Sequence, residues 1–576
     1  MTKTFTLALS LVRVLALTCF VHGCVAPSPP RSRIGGATYP WVPDQGDGSY
    51  RNPILFADYS DPDVIRVAGD YYLVASSFTS TPALPILKSR DLVNWTIVGH
   101  ALENLPDPRY ADFQPGEGVW APSLRQHAAI FYLFVPLPDE GIYVLTALDP
   151  EGPWSAPRLL LAGRGLIDPC PFWDDDGQAY LIHAYAGSRA GIKDRLRIRP
   201  MAPDASRLLG EGRIVFWDPA RHPTLEGPKL YKHNHWYVIL APAGGVPRGW
   251  QVALRSRHIF GPYEDRIVLA QGRTSVNGPH QGALVDTPSG EWWFVHFQDT
   301  GLYGRVVHLN PVTWIDDWPA MGVPGRGTAE REPVLVHGKP DLPVQPIGSP
   351  QTTDEFDSLD GRLGPQWQWH ANHDPGWYDL RTRPGWLRLT ARPLPERGLV
   401  AAPHLLLQKL PARAFTAETA VELDEGRAHP DSLAGDRLDD GKAGGGTSGE
   451  VSPGGPAGGL IVVGQNSAAL TVERAPWSTR RQVILRVDDR IAFTAPVGDG
   501  TIRLSVTMVD GGDCRFRFAV AGSNEQTIAA SFTARPGRWV GAQIGLFAAE
   551  RPSAMPAVKP DFVDFDYLRF SPPAPR

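Results

Sequence analysis

The sequence predicts an all-β protein in which a five-bladed β-propeller is followed by a β-sandwich. Two observations predict this order of domains. A hairpin pattern recurs five times before residue 330, and short alternating segments fill the chain after residue 350. The 576 residues include 59 glycines and 57 prolines, so the chain is long enough for two domains and rich in turn-forming residues.

The five repeats share a hairpin scaffold and differ in the residue that opens them. The first, YSDPDVIRVAGDYYLVASSF at residues 59–78, has the pattern of two strands joined by a short turn, the second strand carrying an aromatic pair. Successive repeats open about 50–60 residues apart, a period that suits one four-stranded blade. We therefore predict a propeller over residues 49–340. The opening residues are Asp61, Trp120, Asp168, Glu226 and His280.

These opening residues indicate a reaction centre. The innermost strand of each propeller blade starts near the central axis, so the five side chains should converge at one end of that axis. Taken singly, Asp61 and Asp168 fit ordinary Asp-Pro turns. Taken together, three carboxyls at equivalent places oppose one another's ionisation, which favours a functional interpretation. Two carboxyls that flank a glycosidic bond can hydrolyse it, and a third can tune the acid.

A different residue pattern begins at DEFDSLDGRLGPQWQW. Alternating runs such as GWLRLTARP, RQVILRVD and IRLSVTMV predict a two-sheet sandwich over residues 350–576. The closing VDFDYLRF is predicted to pair with an early strand of that sandwich. Residues of about 434–459 are dense in glycine and poor in apolar side chains, so we predict a mobile loop there.

The N-terminus predicts export. Basic residues around an apolar stretch, ending in Val21-His22-Gly23-Cys24, have the parts of a secretory signal over residues 1–24, and residues 25–48 are predicted to form a tether. Cys24 also suits a bacterial lipoprotein signal, so a lipid anchor and cleavage without lipid are both left open. We expect a periplasmic, outer-membrane-anchored or extracellular bacterial protein. No later segment has the length of a transmembrane helix.

Charge and cysteine content narrow the function further. A net charge of −5 spread over the chain argues against nucleic acid as a partner, because phosphate binding needs a concentrated basic face. Cys170 and Cys514 are the cysteines outside the signal region, and their separation argues against a disulfide framework. Cys170 lacks companion ligands at metal-binding spacing and is predicted to be a buried strand cysteine.

The ordered motifs of residues of about 50–330 resemble those of glycoside hydrolase family 43. The motifs are NPILFADYSDPDVIRV, IDPCPFWDDDGQAYL and LEGPKLYK. The resemblance implies a five-bladed propeller and an inverting mechanism on β-xylosides and α-L-arabinofuranosides. It implies that Asp61 is the general base, Asp168 the carboxylate that tunes the acid, and Glu226 the general acid. Inversion requires roughly 6.5–9.5 Å between Asp61 and Glu226.

The same resemblance implies the residues that bind the sugar. Phe78 and Trp120 would form a hydrophobic wall around the terminal sugar, and Arg305 would bind its hydroxyls. His280 would lie below the sugar, facing a water or calcium in the propeller channel; a hydrogen-bonded core histidine is compatible with that role. The resemblance implies no cofactor for catalysis.

The C-terminal region resembles the concanavalin-like sandwich, a jelly roll, that many exo-acting members carry. In those proteins an acidic motif and the closing DFDY bind structural calcium, which implicates Glu355, Asp357 and Asp566; the interpretation that these are solvated strand ends is left open. The sandwich of exo-acting members also contributes a loop that narrows the active-site mouth. This favours release of a terminal monosaccharide from arabinoxylan or from xylo- or arabino-oligosaccharides.

Several alternatives stay open at this stage. FTSTPALP replaces the aromatic cluster that follows Phe78 in well-known β-xylosidases of the family, so xylose and arabinofuranose are both retained. Retaining fructan and sucrose hydrolases are a weak rival, since their NDPN-like and EC motifs are replaced here by SDPD and LEGP. An endo-arabinanase fits the fold but usually lacks this sandwich. A non-catalytic glycan-binding surface protein is the rival of another class.

Overall fold

The computed structural model describes residues 39–325, 330–423, 456–474, 480–550 and 561–573. The predicted signal at 1–24, the first part of the predicted tether and most of the predicted glycine-rich loop lie outside these ranges. Within them, no helix has the length and apolar character needed to cross a lipid bilayer. The helices are single turns at Pro108–Ala111, Gly187–Ala190, Gly301–Tyr303, Pro375–Trp377 and Leu399–Ala401.

Five antiparallel four-stranded sheets follow one another along the chain, each built from four consecutive strands, and they form the five blades. Blade one contains Asp63–Val67, Asp70–Val74, Ala83–Ser89 and Trp95–Leu102. Blade two contains Ser123–His127, Ile130–Leu137, Gly141–Ala147 and Arg158–Ala162. Blade three contains Leu166–Trp173, Ala179–Tyr185, Arg195–Met201 and Arg213–Trp217. Blade four contains Lys229–His233, Trp236–Ala243, Trp250–Ser256 and Glu264–Leu269. Blade five contains His280–Asp286, Trp292–Asp299, Arg305–Ile315 and Trp318–Met321.

Tight turns join the first two strands of three blades. In blades one, two and four the first and second strands are joined by two residues, Ala68-Gly69, Ala128-Ala129 and Asn234-His235. Ala68, Ala128, Ala129 and Asn234 have positive φ, which is the backbone twist that two-residue hairpins require. The repeated hairpin predicted from the sequence is therefore confirmed as the inner half of each of these blades.

The ring of blades is closed by contacts between its two ends. Ser49–Arg51 pairs with Val336–Gly338 in a separate two-stranded sheet. The guanidinium of Arg66 in blade one donates to Asp286 in blade five at 2.7 and 3.1 Å. A further short pair joins Val323–Pro324 to Arg331–Glu332. Because each blade keeps its own four strands, these contacts and the apolar packing of blade one on blade five close the ring.

Residues 39–48 do not form the predicted tether. The ring of Trp41 lies 5.1 Å from that of Phe56, and its Nε1 donates to the carbonyl of Pro53 at 2.9 Å. Asp44 is buried and accepts hydrogen bonds from Lys339 at 2.6 Å and Asn94 at 2.8 Å. An apolar ring and a paired charge hold this segment against the propeller, a contact that local composition could not reveal.

The second domain is a sandwich of two eight-stranded sheets. One sheet has the order Gln368–Trp369, Leu406–Lys409, Gln543–Glu550, Ala457–Val463, Ser467–Arg474, Arg481–Val487 and Arg490–Val497, with Arg392–Pro393 beside Gln543–Glu550. The other has the order Tyr378–Asp379, Leu387–Thr390, Phe562–Ser571, Phe415–Leu423, Ile502–Met508, Asp513–Val520 and Gln526–Thr527, with Phe532–Thr533 beside Asp513–Val520. The last strand pairs with two earlier ones, as predicted from VDFDYLRF.

The predicted glycine-rich loop ends earlier than expected. Ala457, Gly458 and Gly459 belong to the strand Ala457–Val463, whereas the preceding residues of the predicted loop, up to 455, lie outside the described ranges. A Cβ at Gly459 would lie 2.0 Å from the carbonyl oxygen of Leu470. These last glycines therefore serve close packing inside a sheet, where composition predicted a loop.

The two domains share a hydrophobic core. Phe56 and Tyr303 of the propeller belong to the same buried cluster as the interior of the sandwich. The Tyr303 hydroxyl donates to Asp510, and Thr81 pairs through its backbone with Trp369. The sandwich is thus fixed against the face of the propeller where the opening residues of the repeats lie.

Candidate active site

Three carboxyl groups from blades one, three and four lie close together at the start of the innermost strands. Asp168 interacts electrostatically with both Glu226 and Asp61, and Arg305 of blade five interacts with Asp61 and Glu226. His280, which opens blade five, has its Nε2 3.1 Å from Oε1 of Glu226. The structure therefore brings four of the five opening residues into one cluster.

Asp61 is held by donors from two directions. Its side chain accepts a hydrogen bond from the Ser76 hydroxyl at 2.6 Å and two from Nη1 of Arg305 at 3.0 and 3.1 Å. The residue is 5% exposed and has φ of +54°, in the left-handed region. Burial together with these three hydrogen bonds fixes the orientation of the carboxylate.

Asp168 and Glu226 form the second part of the cluster. Asp168 also has left-handed φ, lies where the pairing of its strand shifts register, and accepts a hydrogen bond from the Gly227 N–H at 2.8 Å. Burial, then the neighbouring charge of Glu226, raise the pKa of Asp168 to about 7, against the opposing effects of Gly227 and Lys229. The Glu226 side chain is 24% exposed, so it faces the solvent side of the pair.

Phe78 and Trp120 form one wall beside the carboxyl cluster. Their ring centroids are 6.4 Å apart, and the backbone of Phe78 pairs with Val119 next to Trp120. The indole Nε1 of Trp120 is buried without a hydrogen-bond partner. The two rings thus form an apolar wall, and the sugar-binding role of Phe78 and Trp120 stays a prediction.

Arg305 and His280 contact the catalytic candidates directly. Burial alone would lower the pKa of the Arg305 guanidinium, but Asp61, followed by Asp58, Asp299 and Glu226, raise it above its usual value. His280 is 1% exposed, and its Nδ1 is buried without a hydrogen-bond partner. Its contact with Glu226 agrees with the hydrogen-bonded core histidine considered from the sequence. The sugar-contacting role of His280 stays a prediction.

The sandwich contributes a residue that sequence reasoning missed. Trp539 packs edge-on against Trp120 with ring centroids 5.0 Å apart and an interplanar angle of 85°. The guanidinium of Arg189 lies over both rings, 4.7 Å from Trp120 and 5.4 Å from Trp539. More than 400 residues separate the two tryptophans along the chain, and no local signal marks Trp539. A loop of the sandwich therefore lines one side of the site.

Asp58, also missed, links that loop to the cluster. Its Oδ1 accepts hydrogen bonds from the Arg305 backbone N–H at 2.9 Å and the Ser60 hydroxyl at 3.0 Å. Its Oδ2 accepts one from the Gly541 N–H at 2.8 Å. A Cβ at Gly541 would lie 2.7 Å from backbone atoms of Tyr303 and Gly304, so a larger residue could not approach as closely. One carboxylate thus connects blade one, blade five and the sandwich.

The segment that begins at Phe78 and differs in sequence from well-known β-xylosidases of the family contacts the sandwich. In FTSTPALP, the Thr79 hydroxyl donates to the carbonyl of His370 at 3.1 Å, and the Thr81 hydroxyl donates to that of Ala371 at 2.5 Å. Small hydroxyl side chains after Phe78 therefore hold this segment against the sandwich through hydrogen bonds that aromatic side chains could not make.

The predicted calcium ligands are arranged differently from a cation site. Both oxygens of Glu355 accept hydrogen bonds from Arg569, at 2.6 and 2.7 Å, and Asp357 is exposed. A calcium ion bound to Glu355 would have to displace that arginine. In the parts of the chain that the structure describes, no group of three or more His, Cys, Asp or Glu side chains is placed to hold a metal. Calcium binding by Glu355, Asp357 and Asp566 stays a prediction.

Comparison with known proteins identifies the family. The model of glycosyl hydrolases family 43 matches residues 50–319, and that of the beta xylosidase C-terminal concanavalin A-like domain matches residues 353–435. A protein of Formosa agariphila named beta-xylosidase is 32% identical over 97% of this chain and 98% of its own length. The chain belongs to glycosyl hydrolase family 43. A putative beta-xylosidase of Xylanibacter ruminicola is 43% identical over 66% of this chain and 70% of its own length.

Family 43 membership confirms the predicted fold and enzyme class. A solved family 43 protein of Bacillus licheniformis superposes with a TM-score of 0.74 at 24% identity, over 91% of this chain and 99% of that chain. The likeness covers the propeller and the concanavalin-like sandwich together. The protein is accordingly a glycosidase that hydrolyses O-glycosyl bonds.

Proposed function

We propose that the protein is an exo-acting, inverting glycoside hydrolase that releases terminal xylose or arabinofuranose from hemicellulose oligosaccharides or side chains. The observation that carries the proposal is the division of the three carboxyls between two environments. Asp61 is bound by an arginine and a hydroxyl, whereas Asp168 and Glu226 form a coupled pair in which the pKa of Asp168 is raised to about 7. The coupled pair can thus hold one proton near neutral pH beside the Asp61 carboxyl.

In the proposed reaction, Asp61 accepts a proton from water as that water attacks the anomeric carbon. Glu226 donates its proton to the glycosidic oxygen, and the bond between that oxygen and the anomeric carbon breaks. The attack inverts the anomeric configuration. Asp168, which accepts a hydrogen bond from the Gly227 N–H, forms a coupled pair with Glu226, and the proton that the pair holds is the one delivered to the leaving oxygen.

The position of the sandwich loop supports the exo mode. Trp539 and Arg189 lie against Trp120 at one side of the cluster, so the site has a wall where a long chain would need an open groove. A pocket closed on one side accepts the end of a glycan more readily than its middle. The same observation argues against an endo-arabinanase.

The choice between xylose and arabinofuranose as the released sugar is inferred from the names of similar proteins. The proteins of Formosa agariphila and Xylanibacter ruminicola are named as β-xylosidases, which favours a β-xyloside. The altered segment after Phe78 keeps arabinofuranose as the second candidate, because that segment borders the wall of the terminal sugar.

A panel of nitrophenyl glycosides tests the proposal. We expect turnover of the β-xyloside, the α-L-arabinofuranoside or both, and a loss of about 100-fold or more in Asp61→Asn and Glu226→Gln. Proton NMR of the first product formed from a β-xyloside should show the α-anomer of xylose. Retention of configuration would exclude the inverting role of Asp61. Sugar binding without turnover of any glycoside by the parent protein would favour the glycan-binding alternative.

We also propose export, with Cys24 as the site of lipid attachment or a residue near the cleavage site. The support is the composition of residues 1–24. Mass spectrometry of the mature N-terminus distinguishes the two outcomes, because a lipidated protein would begin with a diacylated Cys24. An intact Met1 on protein from its native host would exclude export through this segment.

A further inference from the structure

The carboxylate of Asp58 binds backbone groups of two other parts of the molecule. Asp58 is buried just before Asp63–Val67, the first strand of blade one. Its Oδ1 accepts the N–H of Arg305 in blade five at 2.9 Å, and its Oδ2 accepts the N–H of Gly541 in the sandwich at 2.8 Å. The Ser60 hydroxyl gives Oδ1 a third hydrogen bond, at 3.0 Å. A buried carboxylate needs such donors, so these hydrogen bonds hold the three parts at fixed distances from one another.

Two glycines allow this close approach. A Cβ at Gly304, the residue before Arg305, would lie 2.3 Å from Cγ of Asp58. A Cβ at Gly541 would lie 2.7 Å from the backbone N of Gly304. Both distances are well below the roughly 3.5–4.0 Å at which unbonded carbon atoms pack. The backbone that leads into Arg305 therefore lies in contact with the Asp58 carboxylate on one side and with the sandwich loop on the other.

The side chain of Arg305 extends this contact to the proposed base. Its Nη1 donates to Oδ1 and Oδ2 of Asp61 at 3.1 and 3.0 Å. The other side-chain donor to Asp61 is the Ser76 hydroxyl, at 2.6 Å. A shift in the backbone of Arg305 would move the guanidinium and leave Asp61 with the hydroxyl as its side-chain partner. A general base that is displaced by about 1 Å can lose up to about 100-fold in rate.

We infer that Asp58 is a positioning residue of this active site, which joins the sandwich loop to the backbone of Arg305 and thereby fixes the orientation of the Asp61 carboxylate. The inference deepens the proposed function and rests on it, because this orientation matters to the reaction only if Asp61 acts on the attacking water. Asp58 acts through the arginine and not on the substrate. The sandwich then takes part in catalysis as well as forming a wall of the site.

A double-mutant cycle of Asp58→Ala and Arg305→Ala tests the inference, with kcat measured on the nitrophenyl glycoside that the parent enzyme hydrolyses. Asp58→Ala should lower kcat about tenfold in the parent background, because Arg305 is no longer held. In the Arg305→Ala background it should lower kcat by less than about twofold, because the side chain through which Asp58 acts is absent. A purely structural role would instead lower kcat by the same factor in both backgrounds.

Gly541→Ala tests the same connection from the sandwich. The added methyl group would meet the backbone of Tyr303 and Gly304, so the variant should lower kcat by about fivefold in the parent background and leave it nearly unchanged in Arg305→Ala. Gly498→Ala is its matched control, since a Cβ at this glycine of the sandwich has no atom within 4 Å. Gly541→Ala decides the matter if Asp58→Ala does not fold.

Asp91→Ala is the control for Asp58→Ala. Asp91 is also buried in blade one, but its Oδ1 accepts the N–H groups of Val93 and Asn94 in its own turn, at 3.0 and 2.8 Å. The folded Asp91 variant should keep the kcat of the parent enzyme. Equal losses of kcat with and without Arg305, in the folded Asp58 or Gly541 variant, would overturn the positioning role. An inactive parent protein would instead overturn the proposed function, and the inference with it.

Discussion

At the scale of single residues, three candidate site residues have a strained backbone conformation. Asp61, Phe78 and Asp168 all have φ between +50° and +55°, a region that non-glycine residues rarely occupy. Each such residue costs on the order of 1–3 kcal/mol and persists only where its surroundings hold it. Here the holding contacts are Ser76 and Arg305 on Asp61, the Gly227 N–H on Asp168, and the backbone pairing of Phe78 with Val119.

Asp168→Asn should separate tuning from proton donation. Asparagine removes the charge and the proton that couple Asp168 to Glu226, so the alkaline limb of kcat/KM should move to lower pH. Substrates whose leaving groups need a proton should lose about 100-fold in kcat, and nitrophenyl glycosides about tenfold or less. Steady-state kinetics on xylobiose and nitrophenyl xyloside measure both effects.

The control for this variant is Asp176→Asn, which changes an exposed carboxyl in the turn after the same strand. It should behave as the parent enzyme. Equal losses on activated and natural leaving groups in Asp168→Asn would contradict the tuning role.

At the scale of elements, the active site depends on a loop that belongs to the other domain. Trp539 has φ of +64°, a strained value for a bulky residue, and its loop is held by the hydrogen bond from Gly541 to Asp58. Asp58 also binds the backbone of Arg305, which in turn binds Asp61. The sandwich is therefore connected to the proposed base through two residues.

Trp539→Ala should weaken productive binding while sparing the chemistry. Trp539 packs edge-on against Trp120, and without it the wall proposed to bind the sugar loses its support, so KM for a disaccharide should rise up to about tenfold with kcat little changed. Trp217→Ala is the control, since this tryptophan is 59% exposed on the last strand of blade three. An unchanged KM in Trp539→Ala would show that the loop does not take part in binding.

At the scale of the whole molecule, buried neutral histidines in both domains should make stability depend on pH. Burial lowers the pKa of His183 to about 3, and those of His296, His370 and His404 to about 4. In the unfolded chain these pKa values return to about 6.5, so acid favours unfolding. At His183, burial is the main cause and the positive charge of Arg199 adds to it; the His183 Nε2 also accepts a hydrogen bond from Arg199, which a protonated ring could not do.

We therefore expect the free energy of unfolding to be highest above about pH 6.5 and to fall as the pH drops from there towards 4. Each of the four histidines contributes up to about 1.4 kcal/mol per pH unit to this fall. Urea unfolding at pH 7, 6 and 5 measures it. His370→Gln should flatten the dependence, and His235→Gln, at an exposed turn, should not. Equal stability at pH 7 and pH 5 would contradict the prediction.

Much of the fold could be predicted because local residue patterns in the sequence determine it. Two-residue turns and alternating side chains mark the blade hairpins and the sandwich strands, and these signals need no knowledge of distant contacts. Errors arose where distant contacts decide the structure. Trp41 and Asp44 pack onto the propeller although their segment has the composition of a tether, and Gly459 lies in a strand that pairs with the distant strand Gln543–Glu550.

By itself, the sequence determined the five-fold repeat, the residues that open each repeat and the chemistry that three carboxyls can perform, because a repeated strand places equivalent residues at one end of an axis. The tertiary structure decided which groups act on those carboxyls. Arg305 reaches Asp61 from blade five, Trp539 of the sandwich reaches Trp120, and Gly541 of the sandwich reaches Asp58, because hydrogen bonds and Coulomb interactions depend on distance in space and not on separation along the chain.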